Sequence, residues 1–274
     1  MRLLLLGGTG RLGRHVAALD SPALRVHAPT RQQLDLATAD LGLVADHDAV
    51  LNCAAAANVD ACERDPALAD RLNTDLPRRL AAACAAASIP LLHTSTDYVF
   101  GGPARPEGPF AESDLVDPAQ HYGVSKARGE AAVLERGGHV ARVSWLFADA
   151  DSTFARFVLS SPSPVPLFDQ ASRPTYVPAL ARWLVDVCGR LRAGLPTPSI
   201  LHPAGGPAAT REEWARAILD AHGRRATLDV SPAPSHLAPR PTDSRLDATS
   251  TDAWLATTDI APLPDWRDAL RTGG

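Results

Sequence analysis

The stretch RLLLLGGTGRLG, residues 2–13, joins an apolar run to three glycines spaced three apart, Gly7, Gly10 and Gly13. A short, wholly apolar run is typical of a strand that is covered on both faces. Where such a strand turns into a helix, one glycine permits the tight turn and a second lets the backbone approach a pyrophosphate. A third allows the helix to pack closely on the sheet. The stretch therefore predicts a dinucleotide-binding unit of the Rossmann type, with a plain glycine turn as the alternative.

The alternation of apolar runs and helical patterns continues through the first 145 residues. The predicted strands are 2–6, 24–29, 49–55, 89–95 and 139–145. The predicted helices between them are 11–20, about 37–46, 66–88 and 121–136. Because the strands are apolar throughout and alternate with helices, they predict an α/β fold with a doubly wound parallel sheet.

The pattern becomes looser after Trp145. The proline-rich segment 160–168 is not expected to form a regular helix. Further elements are expected as a helix at 178–191, a strand at 199–205 and a helix at 210–223. The last helix begins with a capping box, because Thr210 is followed three residues later by Glu213. We predict a NAD(P)-binding Rossmann domain with a smaller C-terminal substrate-binding lobe. The Rossmann domain comprises 1–146 plus roughly 170–200, and the lobe comprises roughly 147–169 and 201–274.

Composition excludes several classes of protein. The chain has 274 residues, a net charge of −4 and no basic block, which disfavours nucleic acid or an anionic membrane as partner. Its four cysteines form no C-x-x-C, and no H-E-x-x-H pair occurs, so we expect free thiols and no metal site. No apolar run is long enough for a signal peptide or a membrane span, and we expect a cytoplasmic protein.

The stretch HYGVSKARGE, residues 121–130, contains the only lysine among 27 basic residues. Lys126 follows Tyr122 by four positions, so the two share one face of a predicted helix. A phenol with a pKa near 10 is a reluctant acid or base, and a nearby ammonium stabilises its anion. Arginine is a poor replacement because its planar fork has a different reach. The pair therefore predicts an acid–base site, with a chance pair on a solvated helix as the alternative.

Two other strand ends carry polar groups. Thr96 and Asp97 follow the fourth predicted strand, where doubly wound sheets bind ligands, although a polar turn is the alternative. Thr30 and Arg31 stand at the end of the second predicted strand, where NAD-preferring domains often carry an acid. An arginine there can meet a 2′-phosphate, which favours NADP(H). NAD(H), with Arg31 as a solvated surface side chain, is the alternative.

These motifs resemble those of the extended short-chain dehydrogenases/reductases and, within them, the dTDP-4-dehydrorhamnose reductase family. The matching motifs run nearly end to end: GGTGRLG (7–13), LDL with Asp35 (34–36), VLNCAAAANVDACE (50–63), STDYVF (95–100), ESD (112–114), YGVSKARGE (122–130), RVSW (142–145), DQASRPT (169–175), RPTDSRL (240–246) and LPDW (263–266). The resemblance implies reduction of a 4-keto nucleotide sugar by NADPH. Tyr122 would donate the proton, Lys126 would tune the phenol and hold the ribose, and Thr96 would hydrogen-bond the developing alkoxide.

The resemblance also implies which residues line the site. Those facing the cofactor would be Gly7, Thr9, Gly10, Arg11, Leu12, Gly13, Arg31, Asp35, Leu36, Ala54, Ala55, Ala56, Tyr122 and Lys126. Those facing the sugar nucleotide would be Ala57, Val59, Thr96, Asp97, Trp145 and Arg173. The chain departs from the family pattern at 56–58, where it has Ala-Ala-Asn, and at 171–173, where it has Ala-Ser-Arg. Arg173 could meet a diphosphate or lie on the surface. A changed polar lining can mean a changed sugar.

Two other functions share the fold. An epimerase or dehydratase is one, but dehydratases of this superfamily typically carry a glutamate where Tyr98 stands. A regulatory subunit that binds the cofactor without turnover is the other. A homodimer is an open alternative to a monomer.

Overall fold

The structure is a computed structural model of the chain, and it describes residues 1–105, 107–148 and 153–272. Residues 149–152 and 273–274 of the predicted lobe lie outside these ranges. The strands are β1 (Arg2–Leu6), β2 (Arg25–His27), β3 (Ala49–Asn52), β4 (Leu91–Thr96), β5 (His139–Val143), β6 (Leu146–Phe147), β7 (Val165–Phe168), β8 (Ala171–Ser172), β9 (Thr175–Tyr176), β10 (Ile200–Leu201), β11 (Ala209–Thr210) and β12 (Leu228–Ser231). The helices are α1 (Arg11–Ala17), α2 (Val59–Arg64), α3 (Pro66–Asp70), α4 (Leu76–Ala87), α5 (His121–Glu135), α6 (Thr153–Ser160), α7 (Val177–Arg192), α8 (Arg211–Ala221), α9 (Thr249–Leu255) and α10 (Trp266–Thr272).

A central sheet of six parallel strands has the order β10-β5-β4-β3-β1-β2. Every residue of β3 and β4 is buried, although β4 ends in four polar residues, His93, Thr94, Ser95 and Thr96. One face of the sheet packs on α1 and α7, and the other packs on α4 and α5. The predicted Rossmann-type, doubly wound fold is therefore confirmed.

The helix predicted at about 37–46 is wrong. The segment contains only a short 3₁₀ helix, Gly42–Asp46. Two aspartates before it accept hydrogen bonds from backbone N–H groups two residues further on, Asp35 from Ala37 at 3.1 Å and Asp40 from Gly42 at 3.0 Å. Such side-chain bonds form turns that compete with a helix for the same backbone donors.

The helix predicted at 66–88 is interrupted. Between α3 and α4 the residues Arg71–Asp75 form a turn of π-helix. Pro77 has no N–H to bond a preceding carbonyl, and helix α5 approaches this bulge closely. A Cβ on Gly129 would lie 2.1 Å from the carbonyl oxygen of Asn73. The bulge thus lets α5 lie tightly against the α3–α4 segment.

The C-terminal half adds a separate apolar cluster around Trp145, Trp214 and Trp266. Helix α8 begins with the predicted capping box, in which Thr210 and Glu213 bond each other's backbone. Strand β10 joins the edge of the central sheet, and Leu255 and Ile260 pack in the cluster under α7. All four cysteines are free thiols. No helix in the described ranges is long and apolar enough to cross a membrane.

Candidate active site

A cavity of about 360 Å³ opens at the carboxyl ends of β1, β2 and β3. The chain passes from β1 to β2 on one side and then to β3 on the other, so the strand order reverses here. Doubly wound sheets bind their ligands at such a point. Eight of the predicted cofactor residues line the cavity: Gly7, Thr9, Gly10, Arg31, Asp35, Leu36, Ala54 and Ala55. The sequence reasoning missed others that line it: Gly8, Pro29, Leu34, Ala37, Cys53, Leu68, Arg71 and Leu72.

The glycine loop shapes one wall of this cavity. Gly7 has a φ of +81°, and a Cβ there would lie 2.6 Å from the backbone N of Ala54. A Cβ on Gly13 would lie 2.1 Å from the carbonyl oxygen of Gly7, so α1 could not pack on the loop. A Cβ on Gly10 would meet only the Gly7 oxygen, at 3.2 Å, which leaves the space beside Gly10 open. The fold therefore requires glycine at positions 7 and 13, whereas Gly10 leaves room for a ligand close to the backbone.

Two exposed arginines, Arg31 and Arg71, line the same cavity. Within the described ranges, neither side chain has a hydrogen bond or an ion pair. Asp35 also lines the cavity, and its carboxylate accepts a hydrogen bond from the backbone N–H of Ala37. The cavity therefore offers two uncommitted guanidinium groups. Arg71 comes from the π-helical turn, which no local motif marks, and only the three-dimensional arrangement brings it beside Arg31.

Lys126 lies almost fully buried on α5, with 2% of its surface exposed. Its Nζ donates to the carbonyl oxygen of Thr94 at 2.7 Å and lies 3.1 Å from Nε2 of His93. Burial lowers the pKa of Lys126 to about 8, against the opposing effects of Glu130 and Cys53. Cys53 lines the cavity and bonds the Thr94 side chain. The lysine thus lies directly behind the cavity wall.

Tyr122 is half-buried one helical turn before Lys126. Burial raises the pKa of its phenol, and a hydrogen bond with Thr96 lowers it. Thr96 ends β4, where its hydroxyl also accepts from the N–H of Tyr98 at 3.1 Å. The structure therefore brings the three predicted catalytic side chains to one end of β4, although Thr96 and Tyr122 are 26 positions apart in the chain.

Asp97 is 3% exposed and connects three segments of the chain. Its carboxylate accepts hydrogen bonds from Thr96 at 3.1 Å, Ser172 at 2.8 Å and Ser244 at 2.6 Å. Burial raises the pKa of Asp97, and these hydrogen bonds oppose that rise. Because both oxygens already accept bonds from the protein, Asp97 holds β8 and the 241–246 segment against the end of β4. Its predicted sugar contact stays a prediction.

Trp145 belongs to a cluster of aromatic side chains, with Trp214 and Phe154, that the sequence reasoning missed. Its backbone has a φ of +37°, which is unusual for a bulky residue, and its ring stacks on Trp214 with centroids 5.3 Å apart. The guanidinium of Arg211 lies 3.8 Å from the Trp145 ring centroid and 4.7 Å from that of Phe154. Burial lowers the pKa of Arg211. The guanidinium of Arg211 therefore lies against the faces of aromatic rings on the Trp145 side of the site, next to Tyr98.

Other predicted site residues have structural partners. Leu12 has its side chain in the core, so only its backbone can face a cofactor. Arg11 donates to Thr153 at 2.8 Å and joins the glycine loop to α6. Arg173 is half-buried, and its Nη1 donates to the carbonyl oxygen of Gly206 at 3.0 Å.

The 56–59 segment follows β3. The backbone of Ala56 exchanges hydrogen bonds with the Asn73 side chain, Ala57 is exposed and Val59 is half-buried at the start of α2. Asn58 accepts from the N–H of Ala61 at 2.9 Å. The asparagine that departs from the family pattern is thus the N-cap of α2.

Known proteins resemble this chain over nearly its whole length. The family model described as the RmlD substrate binding domain matches residues 1–273. A dTDP-4-dehydrorhamnose reductase of Mycolicibacterium smegmatis is 34% identical, over 98% of this chain and 84% of that protein. A dTDP-4-keto-6-deoxy-D-glucose reductase of Streptomyces niveus is 31% identical, over 98% of this chain and 95% of that protein. The crystal structure of a dTDP-4-dehydrorhamnose reductase from Clostridium acetobutylicum has a TM-score of 0.83 at 28% identity, covering 99% of this chain and 97% of that one.

Proposed function

Since the chain belongs to the RmlD substrate binding domain family, we propose that it is an NADPH-dependent reductase of a nucleotide-linked 4-keto-6-deoxy sugar. One observation carries the proposal: Thr96, Tyr122 and a buried Lys126 meet at the end of β4, behind a glycine-lined cavity. Relatives of 34% and 31% identity are named as reductases of two dTDP-linked sugars. Both lines of support point to the same chemistry.

The cavity fits NADP(H). The open space beside Gly10 admits a pyrophosphate close to the backbone, and Arg31 and Arg71 provide positive charge for a 2′-phosphate. Lys126 lies near the wall formed by Cys53, from which an ammonium can reach ribose hydroxyls. When bound, the nicotinamide supplies the hydride. The protein residues supply position and charge.

Tyr122 is the proton donor of this proposal. In the resting protein its phenol is protonated, because burial raises its pKa. As a sugar ketone is reduced, negative charge develops on its oxygen, and a neighbouring phenol can give that oxygen a proton. Lys126 stabilises the phenolate that remains, by Coulomb attraction. Thr96 is hydrogen-bonded to Tyr122, and it would donate to the same oxygen by turning its hydroxyl proton from the Asp97 carboxylate toward it, which would stabilise the transition state.

The sugar nucleotide would occupy the side of the site bounded by Ala57, Val59, Trp145 and Arg173. Asp97 supports the proposal indirectly, because its bonds to Ser172 and Ser244 hold that wall against β4. We assign substrate binding to the lobe formed by roughly 147–169 and 201–274. That division of the chain and a homodimer remain proposals.

The dehydratase alternative is disfavoured by Tyr98, which occupies the place of the glutamate base. Its hydroxyl accepts a hydrogen bond from Nε2 of Gln170 at 3.1 Å, only 9% of the residue is exposed, and burial raises its pKa. A phenol held in this way is a poor base. A regulatory subunit would keep cofactor binding without turnover, and the following experiment distinguishes it.

The test mixes the purified protein with NADPH and a panel of dTDP-linked 4-keto-6-deoxy sugars, and follows NADPH absorbance at ~340 nm. We expect oxidation of NADPH that depends on one of the sugars. Tyr122→Phe should lower kcat by about 10²–10⁴, since it removes the general acid, with NADPH affinity nearly unchanged. Cofactor binding with no turnover on any sugar would favour the regulatory subunit. Near-full activity of Tyr122→Phe would remove Tyr122 as the donor.

A further inference from the structure

Behind Lys126 lies a chain of buried polar side chains. Asn52 and His93 are both 0% exposed, and Lys126 is 2% exposed. The Oδ1 of Asn52 accepts from the backbone N–H of Ala54 at 3.0 Å. Because a backbone N–H can only donate, this bond fixes the orientation of the amide. The Nδ2 of Asn52 must then face Nδ1 of His93, which lies 3.0 Å away.

This orientation determines where the proton of His93 lies. Burial is the main reason that the pKa of His93 lies well below its usual range, so the imidazole is neutral. Since Nδ1 accepts from Asn52, the single ring proton must be on Nε2. That nitrogen lies 3.1 Å from Nζ of Lys126. An ammonium has three donors and no acceptor, whereas a neutral amine has a lone pair. The contact is therefore satisfied only when Lys126 is uncharged.

We propose that Asn52 and His93 are positioning residues that control the charge of Lys126: the Nε2–H of His93 donates to Nζ and favours the neutral amine. Its consequence for catalysis rests on the proposed function, while the hydrogen-bond pattern is a property of the free protein. Two other groups face the lysine, Glu130 on α5 and Cys53 after β3, and both favour the charged form. The histidine opposes them.

This chain of hydrogen bonds, from Asn52 through His93 to Lys126, is a relay that couples the charge of Lys126 to the position of its Nζ. To become an ammonium in its present place, Lys126 would have to push its new proton against the Nε2–H of His93. Moving Nζ away from His93, toward the cavity, removes that conflict and lets the nitrogen take a proton from solvent. The resting lysine therefore holds its proton less tightly than an ordinary lysine, and it holds the proton more firmly when a ligand draws Nζ forward.

The single lysine makes the test direct, because ¹³C,¹⁵N-lysine labels only Lys126. Its Cε shift is followed against pH in the protein without NADPH. We expect a midpoint of about 8 or lower, against the ordinary value of 10.5, because burial lowers the pKa of Lys126 to about 8 and the histidine adds to that effect. In His93→Gln the amide can present its oxygen to an ammonium, so the midpoint should rise by about one unit or more, a tenfold gain in proton affinity. A midpoint near 10.5 in the natural protein, or no rise in His93→Gln, would overturn the proposal.

A second measurement stands even if His93→Gln fails to fold. Long-range ¹H–¹⁵N spectra of histidine-labelled protein report the tautomer of each ring, and a His93→Asn spectrum identifies the signals of His93. We expect the Nε2–H form, and an Nδ1–H form would contradict the relay. His139→Gln is the matched control, since His139 bonds the Pro198 carbonyl and does not touch Lys126. An equal shift of the Lys126 midpoint in that variant would mean that the effect is not specific, and would count against the proposal. All these measurements omit the sugar, so failure of the reductase assay leaves their outcome intact.

Discussion

Changing Glu130 to glutamine tests whether the last residue of the YGVSKARGE motif stabilises the fold through its ion pair with Arg142. The Glu130 carboxylate on α5 receives both Nε, at 3.1 Å, and Nη2, at 2.8 Å, of Arg142 on β5. The two side chains are 3% and 2% exposed. The Arg142 guanidinium also lies 4.9 Å from the ring centroid of Phe100. The pair therefore ties the helix that carries Tyr122 and Lys126 to the central sheet.

Glu130→Gln removes one charge and leaves the other buried. Breaking a buried pair in this way costs about 3–5 kcal/mol, because an unpaired buried cation has lost the solvation of water. Domains of this size are stable by only about 5–15 kcal/mol, so a large part of the free energy of unfolding should disappear. Urea unfolding at pH 7, followed by tryptophan fluorescence, measures the loss.

Two variants control this measurement. Glu212→Gln breaks an exposed pair with Arg216, whose side chains are 45% and 59% exposed, and should cost less than about 0.5 kcal/mol. Glu130→Gln combined with Arg142→Met removes both charges and should recover most of the loss. A loss below about 1 kcal/mol for Glu130→Gln alone would refute the reasoning, since the bridge would then contribute no more than a surface pair.

Three further changes test the cofactor cavity and the acid–base pair. Arg31→Ala should weaken NADPH binding about tenfold or more and NADH binding much less, because only NADPH carries the 2′-phosphate. Fluorescence titration measures both affinities, and an equal loss for the two cofactors would mean that Arg31 does not discriminate between them. Gly13→Ala places a Cβ 2.1 Å from the Gly7 oxygen, and thermal unfolding should show a loss of about 1–3 kcal/mol; unchanged stability would mean that the loop shifts freely. Lys126→Arg keeps a basic side chain, yet kcat should fall about 100-fold or more because the planar guanidinium has a different shape and reach from the lysine side chain, and a mild effect would contradict the geometric argument.

Local patterns predicted the fold well because they act over a few residues. The leucine run, the glycine spacing and the capping box of Thr210 each depend on neighbours along the chain, and each appears in the structure as an element boundary. The failures also have local causes that outweigh periodicity. Asp35 and Asp40 turn the backbone where a helix was predicted, and Pro77 accompanies a π-helical turn in a segment that reads as one helix.

The sequence by itself determined the parallel sheet, the glycine loop and the placement of Tyr122 and Lys126 one turn apart on one helix, since strand burial and helical spacing are properties of short segments. Only the tertiary structure decided what surrounds that pair. His93 meets Lys126 across 33 positions of the chain, and Asn52 meets His93 across 41. Whether a lysine faces a donor or an acceptor depends on how adjacent strands align, and no spacing within one segment records that alignment.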